Sequence, residues 1–415
     1  MQVLFRSLIG RIVKSGDLTV EFANGERQRF GDGEGTPLAI RFTDKRATTD
    51  LMRDPELAFG ELFMDGRMVL TGGSIYDLLT LISRNAVRGA PPAWLKTLRS
   101  VRDATKALRL RNNRGKARAN VAHHYDLDDR LYRLFLDEDR QYSCAYFETP
   151  DATLEQAQLA KKRHIAAKLL LEPGQTVLDI GSGWGGLALY LARYCGADVT
   201  GITLSTEQFA NASRRATEAK LDQHVRFKLE DYRDTQGPFD RVVSVGMFEH
   251  VGPAFYDAYF GKVASLLKPD GVAMIHTIGR PDGPYPTNPW VLKYIFPGGH
   301  TPALSEIAAA IERAGLFITD IEVLRMHYAE TLAAWRRNFL ARRDEALELY
   351  DERFCRMWEF YLAGAECAFR WEGECVFQLQ LARRHDAVPI TRDYLADTER
   401  KLRALESREQ SWMVA

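Results

Sequence analysis

Hydrophobic residues along the chain follow two rhythms that change near residue 120. Before that point, DLTVEF (17–22) and PLAIRF (37–42) alternate apolar and polar side chains, the period of half-buried strands. GELFMDGRMVL (60–70) sets turn glycines around apolar runs. In TGGSIYDLLTLISRN (71–85) the spacing is helical, with Ser74 placed as N-cap and Asp77 in the first turn. RNNRGKARAN (111–120) is polar and basic and predicts a linker. Beyond it, apolar strand patterns alternate with amphipathic helices. The strands are TVLDIG (176–181), ADVTGIT (197–203), HVRFKL (224–229), FDRVVSVG (239–246), GVAMIHTIG (271–279) and FITDIEVLRM (317–326). Helical patterns begin at Gly185, Thr206, Pro253 and Ala303. A long helical stretch rich in aromatics, 330–370, precedes a last strand, CVFQLQLAR (375–383), and a polar helical tail.

That order predicts an α/β protein: a parallel doubly wound sheet with a helical insertion before its last strand, plus a small N-terminal α+β domain. The expected boundaries are 1–82 for the small domain, 83–119 for a basic helix and linker, 120–390 for the sheet domain and 391–415 for the tail.

Composition narrows the class. The chain has 415 residues, 46% hydrophobic and 27% charged, and no apolar run reaches the ~18 residues of a membrane span. In MQVLFRSLIGRIVKSG basic residues interrupt the apolar ones, which predicts an amphipathic helix rather than a secretory signal. Such a helix can pack on its own domain or touch a membrane. Five cysteines without a C-x-x-C pair suggest neither zinc nor an iron–sulfur cluster and fit a reducing cytoplasm. His123–His124 has no carboxylate or cysteine partner at ligand spacing, so no metal site is expected. Net charge is zero, yet residues 1–118 hold 21 Lys and Arg against 13 Asp and Glu. Segment 84–118 alone has eleven basic residues and one acid, Asp103, with Trp94 and several leucines among them. An anionic lipid surface suits it, and nucleic acid would attract it too; a solvated basic helix is the plain alternative.

The chemistry centres on VLDIGSGWGG (177–186), whose GSGWGG satisfies the dinucleotide pattern G-x-G-x-x-G. A dinucleotide site needs an acid at the end of the second strand, and that strand ends ITLST. Asp179 lies in the first strand instead, and LEDYRD places Glu230 and Asp231 after the third, where an adenine edge would sit. By pattern the loop favours a sulfonium nucleoside over NAD without excluding the latter.

The whole chain resembles the cyclopropane-fatty-acyl-phospholipid synthase family, related to the mycolic acid cyclopropane synthases. The matching segments are AHHYDL (122–127), YSCAYF (142–147), LDIGSGWGG (178–186), GITLSTEQ (201–208), MFEHVG (247–252), HTIG (276–279) and YIFPGGHTP (294–302). The resemblance implies a class I methyltransferase fold with S-adenosylmethionine as methyl donor. It implies a cis double bond in a membrane phospholipid acyl chain as acceptor. Peripheral attachment at the cytoplasmic membrane face and a homodimer are expected, with no nucleic-acid partner. Cofactor contacts carried over by motif are Tyr142 and Ser143, the loop Leu178, Asp179, Gly181, Gly183, Trp184 and Gly185, then Thr203, Gln208, Leu229 and Glu230. A bound bicarbonate ion would be held by Glu249, His276 and Tyr328, with contacts at Cys144 and Ile278.

Methyl attack on an alkene leaves a carbocation, which must lose a proton from the new methyl for a ring to close. Aromatic faces stabilise cations by about 0.5–2 kcal/mol each. Tyr125, Tyr146, Phe147, Trp184, Phe248 and part of 330–370 are candidates, each with core packing as its plain alternative. Loss of a different proton, or a hydride shift, would give a methyl-alkene or methyl-branched chain. The family commonly has a late cysteine where this chain has Ala365, with Cys367 two residues on. That cysteine is expected to be dispensable, because the chemistry needs no thiol.

Overall fold

The computed structural model describes residues 2–86, 93–105 and 128–414. The expected linker, the AHHYDL motif with Tyr125, and much of the basic segment lie outside them. The described residues form two compact units. One gathers 2–105, 286–297 and 329–374; the other gathers 128–285, 298–328 and 375–414.

The first unit is built on a four-stranded sheet. Its strands are β1 (Leu18–Glu21), β2 (Arg27–Phe30), β3 (Leu38–Phe42) and β4 (Met68–Gly72), in the order β2-β1-β3-β4. β1 and β3 are parallel and the other pairs antiparallel. The two strands predicted here are present. β2 escapes the pattern because it is an edge strand with a polar face. Helix Ile75–Ala86 starts as expected: the Asp77 N–H donates to Ser74 Oγ (3.2 Å) and the Ser74 N–H to Asp77 Oδ2 (2.9 Å).

The aromatic stretch does not follow the expected boundaries. Helix Glu352–Trp371 packs on helices Pro55–Met64 and Ile75–Ala86. Phe360 lies 4.6 Å from the Trp290 ring, 6.0 Å from Phe59 and 6.2 Å from Phe63, centroid to centroid. The N-terminal helices carry more apolar surface than a small four-stranded sheet can cover, and the late helix buries it. Cys367 belongs to this packing. It is 1% exposed, its Sγ is 3.6 Å from Thr80 Oγ1, and burial pushes its thiol up to about 12.

The second unit holds a seven-stranded sheet of β5 (Thr176–Ile180), β6 (Asp198–Thr203), β7 (Val225–Leu229), β8 (Phe239–Val245), β9 (Leu267–Gly279), β10 (Phe317–Leu324) and β11 (Cys375–Ala382). Their order is β10-β11-β9-β8-β5-β6-β7. From β7 to β9 the pairings are parallel, as predicted, whereas β11 runs antiparallel to both neighbours. The chain leaves β10 at Leu324 and re-enters opposite it at Val376, so β11 has to run back. Both faces are covered: Leu178, Phe248, Tyr259 and Phe377 pack on one side, Ile165, Leu191 and Met274 on the other.

Helix Leu154–Lys168 has no counterpart among the predicted elements. Its sequence, LEQAQLAKKRHIAAK, has no apolar stripe, because it is buried almost all round and pairs its polar residues internally. The tail forms helix Asp393–Val414; Glu406 accepts from Arg163 and, at 2.6 Å, from the Tyr190 hydroxyl. Among the described residues no helix is long and apolar enough to cross a membrane.

Phe360→Ala should destabilise the N-terminal sheet by roughly 2–3 kcal/mol, somewhat less than a fully enclosed Phe. Limited proteolysis checks this: cleavage within residues 2–86 should accelerate. Unchanged protection there would separate the late helix from that core.

Candidate active site

The glycine loop joins β5 to helix Gly186–Cys195. The Gly181 and Ser182 N–H groups both donate to the Ile202 carbonyl at 3.0 Å, which ties the loop to β6. Gly181 has φ 84°, and a Cβ there would lie 2.9 Å from the Met247 Cβ. Gly183 has φ 54° with nothing within 4 Å of a built Cβ, so its backbone faces open space.

That space is a pocket whose walls include Tyr142, Ser143, Asp179, Gly181, Gly183, Trp184, Thr203, Gln208 and Glu230. Nine of the twelve carried-over cofactor positions therefore converge. Leu178 is fully buried in the core, Leu229 is 47% exposed, and Gly185 caps the following helix; none of the three lines the pocket. Thr203 Oγ1 bonds Gln208 Oε1 at 3.0 Å, which leaves the Gln208 amide NH2 for a ligand. Asp231 also lines the pocket, but Arg233 grips both its oxygens, at 2.8 and 2.5 Å. Glu230 is thus the freer of the two acids.

Asp179 is 2% exposed, and burial pushes its carboxyl up to about 7. Its Oδ2 has no hydrogen-bond partner among the described residues. A buried acceptor left this way costs about 1–3 kcal/mol, which a bound donor would recover.

Beside the pocket wall formed by Met247 and His250 stand residues that the resemblance implied as anion-holding. Glu249 lies in the short 3-10 turn Phe248–His250 that follows β8. Its Oε1 accepts the Ile278 N–H at 2.6 Å; its Oε2 has no partner among the described residues. Burial pushes its carboxyl up to about 7, against the pull of that N–H. Ile278 therefore enters the site by holding Glu249. His276, two residues earlier on β9 and on the same face of the strand, is 2% exposed with an unpartnered Nε2. Burial, with Lys161, Lys168 and His164 nearby, holds it well below the ordinary imidazole range.

Tyr328 is buried at 8% in the first turn of helix His327–Ala341. β10 ends at Leu324, which pairs with Val376, which pairs with Ile278; Tyr328 thus leaves the sheet at the end where His276 and Ile278 lie. Its neighbour His327 accepts the Phe147 N–H at 3.0 Å and stacks on Tyr146, so YSCAYF reaches the same end. Cys144 of that motif is 1% exposed.

The aromatic expectation is only partly met. Phe248 is wholly buried against Tyr256, Tyr259 and Phe260, and Tyr146 is stacked between His164 and His327, so both serve packing. Trp184 lines the pocket and packs on Tyr132. The aromatics of 330–370 belong to the other unit.

Sequence reasoning missed the lysines behind the pocket. Lys161, 1% exposed, donates to Ser143 Oγ and Gln141 Oε1, both at 2.7 Å; burial lowers it to about 8. Gln158 holds the 141 and 143 carbonyls at 3.1 and 3.0 Å. One signal was legible: T-L-E-Q at 153–156 has the capping-box spacing, and Thr153 and Gln156 do bond reciprocally.

The sheet order, the glycine loop and the pocket beyond it define a class I, S-adenosylmethionine-dependent methyltransferase. A family model described as mycolic acid cyclopropane synthetase matches residues 112–379, and a domain of unknown function matches 5–88. Cyclopropane-fatty-acyl-phospholipid synthase of Escherichia coli (strain K12) is 39% identical over 349 residues, 84% of this chain and 88% of that protein. Tuberculostearic acid methyltransferase UfaA1 of Mycobacterium tuberculosis is 36% identical over 389 residues, 91% of this chain and 90% of that protein. A solved mycolic acid cyclopropane synthase complexed with SAH and CTAB has a TM-score of 0.61 at 35% identity, covering 64% of this chain and 97% of that one. The chain belongs to the mycolic acid cyclopropane synthetase family.

Asp179→Asn should weaken S-adenosylmethionine binding by about ten- to hundredfold, the value of a charge-assisted hydrogen bond. In the native protein affinity should improve as pH rises through about 7, where Asp179 ionises toward a cationic ligand. Calorimetric titration across that range checks both; a flat native profile would contradict the assignment.

Proposed function

We propose that this chain transfers a methyl group from S-adenosylmethionine to the cis double bond of a phospholipid acyl chain and closes a cyclopropane ring. The observation that carries the proposal is a pair of buried atoms without a hydrogen-bond partner among the described residues, Glu249 Oε2 and His276 Nε2. Glu249 stands between the pocket-lining Met247 and His250, and the His276 carbonyl accepts the N–H of the pocket-lining Gly246 at 2.9 Å. The two atoms fit a small anion that can both donate and accept a hydrogen bond. Bicarbonate is such an ion, and bound there it would supply the base for the proton lost from the new methyl.

The chain's own residues then have distinct tasks. Gly181 and Gly183 let the backbone approach the donor, while Asp179, Gln208 and Glu230 fix its polar groups. His276 donates from Nε2 and Tyr328 from its hydroxyl. Glu249, fixed through Ile278, accepts from the ion's hydroxyl, which orients it and raises its basicity. Burial of the whole set keeps water from the cationic acyl chain.

A peripheral position at the cytoplasmic membrane face belongs to the proposal. It is supported by exposed apolar side chains of the first unit: Val3 at 77%, Leu4 at 57% and Val101 at 57%. The basic helix Ala93–Ala104 supports it less than its sequence suggested, because Arg99 and Arg102 are paired with Glu56 and Asp54.

Pure protein with S-adenosylmethionine and cis-monounsaturated phospholipid vesicles should yield acyl chains one carbon longer, with cyclopropane resonances in the product NMR spectrum. Methyl-branched or alkenyl resonances would move the reading to the alternative outcome; no added carbon would end both. Glu249→Gln should lower turnover by about 10²–10⁴-fold without weakening S-adenosylmethionine binding. Native activity should fall as pH drops through about 7 and Glu249 protonates. Stability should move oppositely. A raised carboxyl pKa costs the folded state stability as pH climbs from the ordinary carboxylate range toward 7, so Glu249→Gln should melt several degrees higher at pH 8.

A further inference from the structure

A buried cation behind the sheet dictates which nitrogen of His276 carries its proton. Gln378 on β11 is the register partner of His276 on β9, and both are essentially inaccessible. One end of the Gln378 amide lies 3.1 Å from His276 Nδ1. The other end faces Lys168 Nζ at 2.7 Å.

An ammonium has donors and no lone pair, so the Gln378 atom it meets must be Oε1. The NH2 end then faces His276, and Nδ1 has to accept. In a neutral imidazole with Nδ1 as acceptor the proton is on Nε2, the unpartnered atom at the site.

Burial lowers the Lys168 ammonium from its ordinary range, and the Glu322 carboxylate opposes that loss. Glu322 pairs with Lys168 Nζ and also accepts from His164 Nε2 at 2.6 Å, while His164 Nδ1 meets Glu399 at 2.5 Å. Burial would raise Glu322, but those two partners outweigh it and hold the carboxyl at about 2. Burial would likewise lower His164, and its two carboxylates outweigh that and raise it. The Lys168 carbonyl accepts Gln380 Nε2 at 2.6 Å, which anchors the lysine's backbone to the same strand.

We infer that Lys168 and Gln378 are positioning residues that lock His276 as a neutral Nε2–H donor. Locked in this way, His276 holds an anion by donating to it and has no lone pair free to take a proton. It is therefore a binding group rather than the base, and deprotonation falls to the ion it holds. The inference deepens the proposed function and rests on it for the identity of the anion, though the tautomer does not.

The test is ¹⁵N NMR of the full-length protein labelled with [¹⁵N]histidine, with His276 assigned by its absence from His276→Gln. Native protein should show a protonated Nε2 and an unprotonated Nδ1. Adding sodium bicarbonate should shift the Nε2–H resonance. In Lys168→Met the amide can turn round, so the Nδ1–H form should appear, and kcat should fall about tenfold or more with KM for both substrates nearly unchanged. Lys168→Arg, which keeps a cationic donor, should restore the native tautomer and most of kcat. An Nδ1–H signature in the native protein would overturn the inference whether or not any variant folds. So would a folded Lys168→Met with the native tautomer. An Nε2–H signature that ignores bicarbonate would leave the relay standing and count against bicarbonate as the anion.

Discussion

A strand-end amide donates to a carboxylate: the Ile278 N–H lies 2.6 Å from Glu249 Oε1. This one bond joins the turn after β8 to the end of β9 and decides how Glu249 can act. With Oε1 occupied, the other oxygen remains to meet a ligand, in a place where burial has already pushed the acid up to about 7. The same turn carries Met247 and His250 into the pocket wall, so the donor pocket and the proposed anion site share a few consecutive residues. In the proposed reaction methyl transfer and proton removal have to occur within a few ångströms of each other, a demand that a shared turn suits.

The scaffold behind the site is polar where most sheets have an apolar layer. Helix Leu154–Lys168 buries Lys161, Lys162, Arg163, His164 and Lys168. Each buried charge costs several kcal/mol of desolvation and is tolerated only when paired. Four of the five have such pairs: Lys162, with Arg215, on Asp139, Arg163 with Glu406 and Glu148, Lys168 and His164 with Glu322. Lys161 is held instead by the neutral Gln141 and Ser143 side chains, and burial lowers it to about 8. Such a layer is a poor source of stability, but it supplies oriented donors and fixed charge that leucines could not. Ser143 is held from behind by Lys161, and His276 through Gln378 by Lys168.

Much of the sheet unit was legible because its strands are near-continuous apolar runs and its helices have clear stripes. Asp179, Glu230 and the glycines were legible as chemistry because their spacing from strand ends is set by backbone geometry. Glu249, His276 and Tyr328 were not; read without the resemblance they are an isolated acid, a plausible core histidine and one tyrosine of sixteen. What brings them to one end of the sheet is register across β8, β9, β11 and β10, which local pattern does not encode. Helix Leu154–Lys168 was lost for the opposite reason, since a helix buried on all sides by polar pairing has no amphipathic stripe to detect. The alternating glutamines of CVFQLQLAR carry a sign of that polar layer: two polar residues in a wholly buried strand have to be bonded to something.

Bicarbonate dependence tests the central claim most directly. Enzyme and buffers freed of carbon dioxide should turn over slowly with S-adenosylmethionine and unsaturated phospholipid, and added bicarbonate should restore the native rate along a saturating curve. Glu249→Gln should not respond. Full turnover without bicarbonate, unchanged when it is added back, would contradict the account and require a base from the protein itself.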